Sequence, residues 1–175
     1  MNYAPEPLDF WENSSTILRQ MQSKHGGIIC CVVDNAGNTN AITLGWGLIG
    51  PHYHRNPIVA IAVCPPRFSF HFLEETGEFV LAVPGNDMRP AANLCGTKSG
   101  RDIDKFETAG LTRVPSQHVA APSVAECPIN AECRTYTKVS PPHFLLTEKH
   151  RESPIEQQHT IYFAEVLGTY RYTST

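Results

Sequence analysis

Several absences in this chain narrow what it can be. It has no surplus of positive charge: 14 Lys and Arg against 17 Asp and Glu give a formal net charge of −3 over 175 residues. No basic run carries interleaved aromatics, so nucleic acid is not expected as a main partner. No apolar stretch approaches the length of a membrane span, and the polar N-terminus carries no secretory apolar region. The expectation is a soluble cytoplasmic protein with no membrane partner. No Gly-x-Gly-x-x-Gly word follows a strand-like run, which counts against a Rossmann dinucleotide site. There is no Cys-x-x-Cys unit either. Six cysteines are present, but neither Cys30-Cys31 nor the Cys127 and Cys133 pair has the spacing of a structural zinc site. They read as reduced, mostly buried thiols of a reducing compartment. His52 and His54, two apart with no third ligand, read as a loop, and no metal is expected. With no repeat or low-complexity segment, residues 1–175 are expected to form one domain.

What is present is mostly strand. Asn13-Ser14-Ser15 is expected to open a helix with Ile17, Leu18 and Met21 on one face, stopped by Gly26-Gly27. Residues 27–33 are Ile, Cys and Val between turn residues, the pattern of a buried strand. The cluster Asp34 to Asn38 turns the chain into a second strand over 40–49, and residues 57–63 form a third. After Pro66 a helix carries Phe68, Phe72 and Leu73 on one side and ends at Thr76-Gly77. Strand returns over 78–83, residues 88–110 are helical or irregular, and 119–127 form a short connection. Alternation over 129–139 and late strands over 144–148 and 160–172, joined by a polar loop at 151–158, complete the pattern. Hairpin spacing without a βαβ rhythm predicts a mainly β protein, an antiparallel barrel with a few short peripheral helices.

Three segments carry chemistry. In the first, Arg67 and Ser69 stand where the helix after Pro66 begins. The first turn of a helix offers unpaired N–H groups and a positive dipole end, which suits a phosphate. A cation there is unfavourable by a few tenths of a kcal/mol unless an anion compensates it. A guanidinium and a hydroxyl would complete such a cradle. The second is Asn40-Ala41-Ile42-Thr43-Leu44-Gly45-Trp46, a strand that could offer backbone donors and acceptors beside an apolar floor. The third is Cys95-Gly96-Thr97-Lys98-Ser99-Gly100-Arg101-Asp102-Ile103-Asp104-Lys105-Phe106. Its Thr97, Lys98 and Ser99 form a polar loop with a cation, whereas Asp104 reads as a cap and Phe106 as a core anchor.

Together these segments resemble the flavin reductase-like family of FMN-binding split β-barrels, and the resemblance runs from Asn40 to Phe106 and again from Cys127 to Val166. It implies an antiparallel split β-barrel. Asn40, Ala41, Ile42, Thr43 and Trp46 would edge the isoalloxazine. Arg67 and Ser69 would bind the phosphate, Thr97, Lys98 and Ser99 would serve the phosphate or ribityl end, and Phe70 would also belong to the cofactor-binding set. Cys95 reads either as near the flavin or as packing, and both readings stay open. His159, in Gln158-His159-Thr160-Ile161-Tyr162-Phe163-Ala164-Glu165-Val166, matches a family histidine near the flavin or nicotinamide pocket. Here Gln158 replaces an acid and Ala164 a glycine. Leu81-Ala82-Val83 replaces a Val-Asn-Val, removing one polar contact near the cofactor. Cys127-Pro128-Ile129-Asn130-Ala131-Glu132-Cys133 matches one branch of the family and reads as structural.

The resemblance further implies a homodimer and an FMN-dependent oxidoreductase. Its electrons would come from NADH or NADPH and pass to free flavin, an electron-acceptor protein or another acceptor. A flavoredoxin-like FMN carrier without nicotinamide activity is the alternative. A split-barrel binding module without flavin is the third reading, opposed by Arg67, Ser69, Lys98 and Ser99.

Overall fold

The structure is a computed structural model that describes residues 2–22, 24, 26–53, 55–143 and 154–175. In chain order it contains β1 (Tyr3–Pro7), α1 (Phe10–Met21), β2 (Ile28–Val33), β3 (Thr39–Leu44), β4 (Gly47–Gly50) and β5 (Ile58–Val63). There follow α2 (Phe68–Thr76), β6 (Glu78–Val83), α3 (Arg89–Thr97), α4 (Lys105–Ala109), β7 (Arg113–Val114) and β8 (Ser123–Val124). The long strands β9 (Ile129–Val139) and β10 (Thr160–Ser174) come last. The strand expected over 144–148 lies outside the described residues. Among the described residues no helix is long and apolar enough to cross a membrane.

The uninterrupted apolar run of β2 has a direct cause: the strand is buried on both faces. Ile28, Cys30 and Val32 point into one core, and Ile29, Cys31 and Val33 into a second. Successive strand side chains alternate between faces, so a strand covered on both sides cannot show the polar half of an alternating pattern. The first core fills the barrel, with Phe79, Leu81, Ile61 and Tyr162. The second lies under α3 and α4, with Ala92, Cys95 and Phe106. Cys127 belongs to the second core and Cys133 to the first, so the two thiols face opposite sides of the sheet.

The main sheet runs β3-β2-β6-β9-β10-β5-β4, with β1 beside β10, and every pairing in it is antiparallel. Its two terminal strands, β3 and β4, are consecutive in the chain and joined by residues 45–46 alone. Such a sheet must curl until its ends nearly meet, which makes a barrel with a seam that carries no ladder. The strand expected over 40–49 is therefore two strands, broken at the seam. Curvature comes from β10, whose register with β9 shifts at Phe163/Ala164 and again at Val166/Gly168, since bulges bend a strand and increase its twist. Thr160–Glu165 consequently pair with β5, whereas Tyr170–Ser174 pair with β1.

Helix α1 begins earlier than Asn13 because Asp9 caps it, its carboxylate accepting the Glu12 N–H at 2.9 Å. Asn13 and Ser14 donate to nearby backbone carbonyls instead. Phe10, Ile17 and Met21 are its buried residues, while Leu18, one residue off that stripe, is 41% exposed. The helix also ends at Met21, ahead of the glycines. Gly27 serves the approach to β3 instead, holding φ +80 where a Cβ would come within 2.5 Å of the Thr43 methyl. Asp104 caps α4 by accepting the Phe106 and Glu107 N–H groups, and Phe106 is buried, as expected of both.

Candidate functional site

Two of the three segments are joined by a buried hydrogen bond. Asn40, in β3, donates through Nδ2 to Ser69 Oγ of α2 at 2.9 Å, and both residues are buried. Arg67 is the N-cap of α2, in extended conformation, and makes no side-chain cap bond. Its N–H instead closes a turn onto the Cys64 carbonyl at 3.0 Å. The guanidinium is thus left at a helix end whose dipole does not favour it.

The third segment packs against this pair. Gly100 lies so close to Asn40 that a Cβ there would be 2.2 Å from Oδ1. This position admits only glycine. The result is a cleft of about 180 Å³ lined by Asn40, Ile42, Pro66, Arg67, Phe68, Ser69, Cys95, Gly96, Thr97, Lys98, Ser99, Gly100, Arg101 and Lys105. Arg67, Lys98, Arg101 and Lys105 are cations, and among the described residues no Asp or Glu is in the wall. Arg101 holds its guanidinium 4.9 Å above the Phe68 ring. Lys105 is buried and donates through Nζ to the carbonyls of Ala41 and Cys95, each at 2.8 Å. Burial draws its ammonium below the usual lysine range, with Cys95 opposing and Arg67 adding to the effect. Ser99 Oγ accepts the Arg101 N–H at 3.2 Å, which leaves its own O–H available as a donor. Thr97 spends its O–H on the Asn93 carbonyl at 2.8 Å. A wall of this charge and donor content suits a small oxyanion.

A second cleft, about 260 Å³, opens at the seam and shares Ile42, Arg67 and Gly96 with the first. Thr43, Leu44, Gly45 and Trp46 line one side, Ala62, Val63 and Cys64 another, and His159 a third. Among the described residues β3 pairs with β2 alone, so its other edge carries no strand ladder, and the Ala41 carbonyl accepts from Lys105 instead. Thr43 Oγ1 donates to the Ala92 carbonyl, tying this strand to α3. Burial lowers the His159 pKa, and the nearby charges of Arg67 and His143 lower it further. Its imidazole is neutral near pH 7.

The structure therefore gathers Asn40, Ile42, Arg67, Ser69, Thr97, Lys98 and Ser99 around one cleft, and Thr43, Trp46 and His159 around the other. Two expected residues do not reach either. Ala41 turns its side chain into the second core, with its carbonyl accepting from Lys105, so its expected part in edging the ring falls to its backbone. Phe70 packs against the barrel core, its ring centroid 6.5 Å from that of Tyr162. Two residues after Phe68 on a helix, it is rotated by about 200° from it. Cys64, Gly96, Gly100, Arg101 and Lys105 also line the clefts, although their sequence context does not mark them as binding residues. Arg101 and Lys105 stand in the third segment, but only the fold shows that they converge with Arg67. The replaced polar position, Ala82, is buried in the second core. Among the described residues no group of His, Cys, Asp and Glu is placed to hold a metal ion.

Comparison with known proteins agrees with this architecture. The family described as "Flavin reductase like domain" matches residues 21–173. This chain belongs to that flavin reductase-like family. An uncharacterized protein of Archaeoglobus fulgidus is 32% identical over 62% of this chain and 60% of its own length. One from Pyrococcus abyssi is 36% identical over 53% of each. The matches thus span little more than half the length of these relatives. Among solved structures, the flavoredoxin of Desulfovibrio vulgaris superposes with a TM-score of 0.66 at 23% identity, covering 81% of this chain and 67% of that one. Nitrilotriacetate monooxygenase component B from Bacillus cereus gives 0.67 at 18% identity, covering 91% and 76%. An FMN-binding domain of a flavin reductase-like enzyme from Shewanella baltica gives 0.64 at 18%, covering 97% and 77%. The fold is the split barrel of these proteins.

Proposed function

We propose that this chain is an FMN-dependent oxidoreductase of the flavin reductase type. It takes electrons from NADH or NADPH and passes them to free flavin, a protein partner or another acceptor. The observation that carries the reading is the junction of the two clefts at Arg67, with four cations on one side and a strand edge without a ladder partner among the described residues on the other. This donor set fits FMN. A terminal monophosphate matches the cation-lined cleft, and an isoalloxazine needs the alternating donors and acceptors that the β3 edge offers. A cleft of about 180 Å³ suits a terminal monophosphate better than a pyrophosphate, which favours FMN over FAD.

When bound, FMN supplies the redox chemistry, taking two electrons as a hydride from the nicotinamide and releasing them to the acceptor. The protein's part is to bind, orient and exclude water. Arg67, Lys98 and Arg101 offer charge-assisted hydrogen bonds to the phosphate. The Asn40–Ser69 bond keeps α2, and with it the phosphate end, in register with the strand edge. Trp46 and Leu44 supply apolar surface at the seam. His159 is a neutral hydrogen-bonding group there rather than a second cation. Hydride transfer requires no side-chain acid or base.

A homodimer and a cytoplasmic setting belong to the same reading. Trp46 and Leu48, 46% and 57% exposed beside the seam, support a second copy covering β4. The free, mostly buried cysteines suit a reducing compartment. A flavoredoxin-like electron carrier is the second reading, favoured by the likeness to a flavoredoxin. The deciding experiment loads the purified protein with FMN and adds NADH, then NADPH, without oxygen. Bleaching of the visible flavin bands supports the oxidoreductase. Bound FMN that neither nucleotide bleaches supports the carrier, and failure to bind FMN rejects both.

A further inference from the structure

We propose that Lys105 is a residue that makes this site demand a phosphorylated flavin. The proposal rests on the reading of the cation-lined cleft as the FMN phosphate site, and adds one buried charge to Arg67 as a determinant of the discrimination between FMN and riboflavin.

The Lys105 side chain is nearly inaccessible, at 5% exposure. An ammonium has three N–H donors, and two are used by the carbonyls of Ala41 and Cys95 at 2.8 Å. Among the described residues it makes no ion pair with a carboxylate. Carbonyl dipoles offset only part of the cost of burying a full charge. The third N–H belongs to a side chain that lines the cleft, and the other charged members of that wall are Arg67, Lys98 and Arg101. All add positive charge, and none can serve as counter-ion. Among the described residues nothing supplies the missing negative charge, and a phosphate monoester dianion would supply it together with acceptor oxygens.

The position of Lys105 gives the charge a structural consequence. Ala41 lies in β3 between Asn40 and Ile42, and Cys95 in α3 precedes Gly96, which lines both clefts. One ammonium thus ties the strand that edges the second cleft to the helix at the junction of the two. Riboflavin carries the same ring as FMN and no phosphate. It leaves this buried charge uncompensated, whereas Lys98 and Arg101, exposed at the rim, are screened by water and discriminate weakly.

The test compares FMN and riboflavin binding by fluorescence titration in the wild type and in Lys105→Gln, whose amide keeps two donors for the same carbonyls and loses the charge. Removal of one buried charge-assisted contact should lower FMN affinity about 10- to 100-fold. Riboflavin affinity should stay within about threefold, so the FMN-to-riboflavin ratio collapses. An unchanged ratio overturns the proposal. A second measurement needs no flavin and no folded variant: inorganic phosphate, at ionic strength matched with chloride, should raise the melting temperature of the flavin-free wild type. Absence of that shift overturns the proposal, and its loss in Lys105→Gln supports it. If the wild type binds neither flavin, the FMN reading fails and flavin discrimination with it, while the phosphate shift and its dependence on Lys105 still decide whether Lys105 is an anion-binding charge of this cleft.

Discussion

The two clefts that meet at Arg67 are built on different physical terms. The first is made by side chains: cations, a buried hydroxyl and a buried amide, drawn from three segments far apart in sequence. The second is made largely by backbone, the edge of β3 at the seam that has no ladder partner among the described residues, with Trp46, Cys64 and His159 around it. Charge gives affinity and tolerates small displacements; a strand edge gives orientation and little net binding energy. Substitutions in the first cleft should therefore show up as lost binding, and substitutions in the second as altered turnover with binding retained.

The hardest blow to the first cleft is Gly100→Val. A side chain there collides with Asn40 Oδ1, where even a Cβ would sit at 2.2 Å, and must displace the amide from Ser69. FMN affinity should fall by about 3 kcal/mol or more, the scale of a disrupted buried polar network. Isothermal titration within threefold of the wild type would show that the Asn40–Ser69 pair does not organise binding.

Arg67→Ala comes next, with an expected loss of about 1.5–3 kcal/mol in FMN binding. The exposed guanidinium makes no cap bond, so the flavin-free protein should melt at nearly the same temperature. A large drop in melting temperature with FMN affinity intact would make Arg67 a structural residue instead.

His159→Gln tests the other half of the comparison. FMN affinity should change little, while the rate of NADH or NADPH oxidation should change measurably in stopped-flow assays. Its titration provides a separate readout. Burial first, then Arg67 and His143, lowers its pKa in the folded protein from the usual 6.5. The unfolded chain then binds the proton more readily. Stability from this group is fully present above about pH 6.5 and is lost as pH falls from there through the lowered folded value. Melting temperatures of the wild type should decline over that interval, and the variant should lack this component.

The smallest effect on flavin is expected from Cys127→Ser and Cys133→Ser. Burial raises both thiols far above the ordinary cysteine range, and they lie in separate cores. Neither is suited to redox exchange. FMN affinity and flavin reduction should be unchanged, although a hydroxyl placed in an apolar core should cost about 1–3 kcal/mol of stability by urea titration. Lost reduction at full FMN occupancy would restore a redox role.

Much of this is legible in one dimension wherever the cause is local. The helix start after Pro66 is readable because turn chemistry and apolar spacing act within a few residues. The Gly77 C-cap, at φ 66, and the Asp104 cap are equally local. Phe70 departs from its expected place because adjacency in sequence on a helix is not adjacency in space. The start of α1 departs from Asn13 because Asp9, Asn13 and Ser14 are all competent caps, and only chain direction chooses among them. Lys105 escapes a reading of the sequence because a lysine before a core phenylalanine has no mark that distinguishes an exposed amine from a buried one.

Sequence alone determined the class of the protein: a two-sided apolar strand, hairpin spacing without crossovers, and a phosphate-competent helix start beside a glycine-containing polar loop. These follow from side-chain alternation, turn chemistry and dipoles, all of which operate over a few residues. Tertiary structure decided where the chain breaks between β3 and β4, which residues converge on Arg67, and that Lys105 lies buried with no carboxylate partner among the described residues. Those outcomes depend on a sheet whose ends are neighbours in sequence but opposite edges in space. Curling that sheet brings residues 40, 69 and 100 together, and no local preference along the chain encodes that closure.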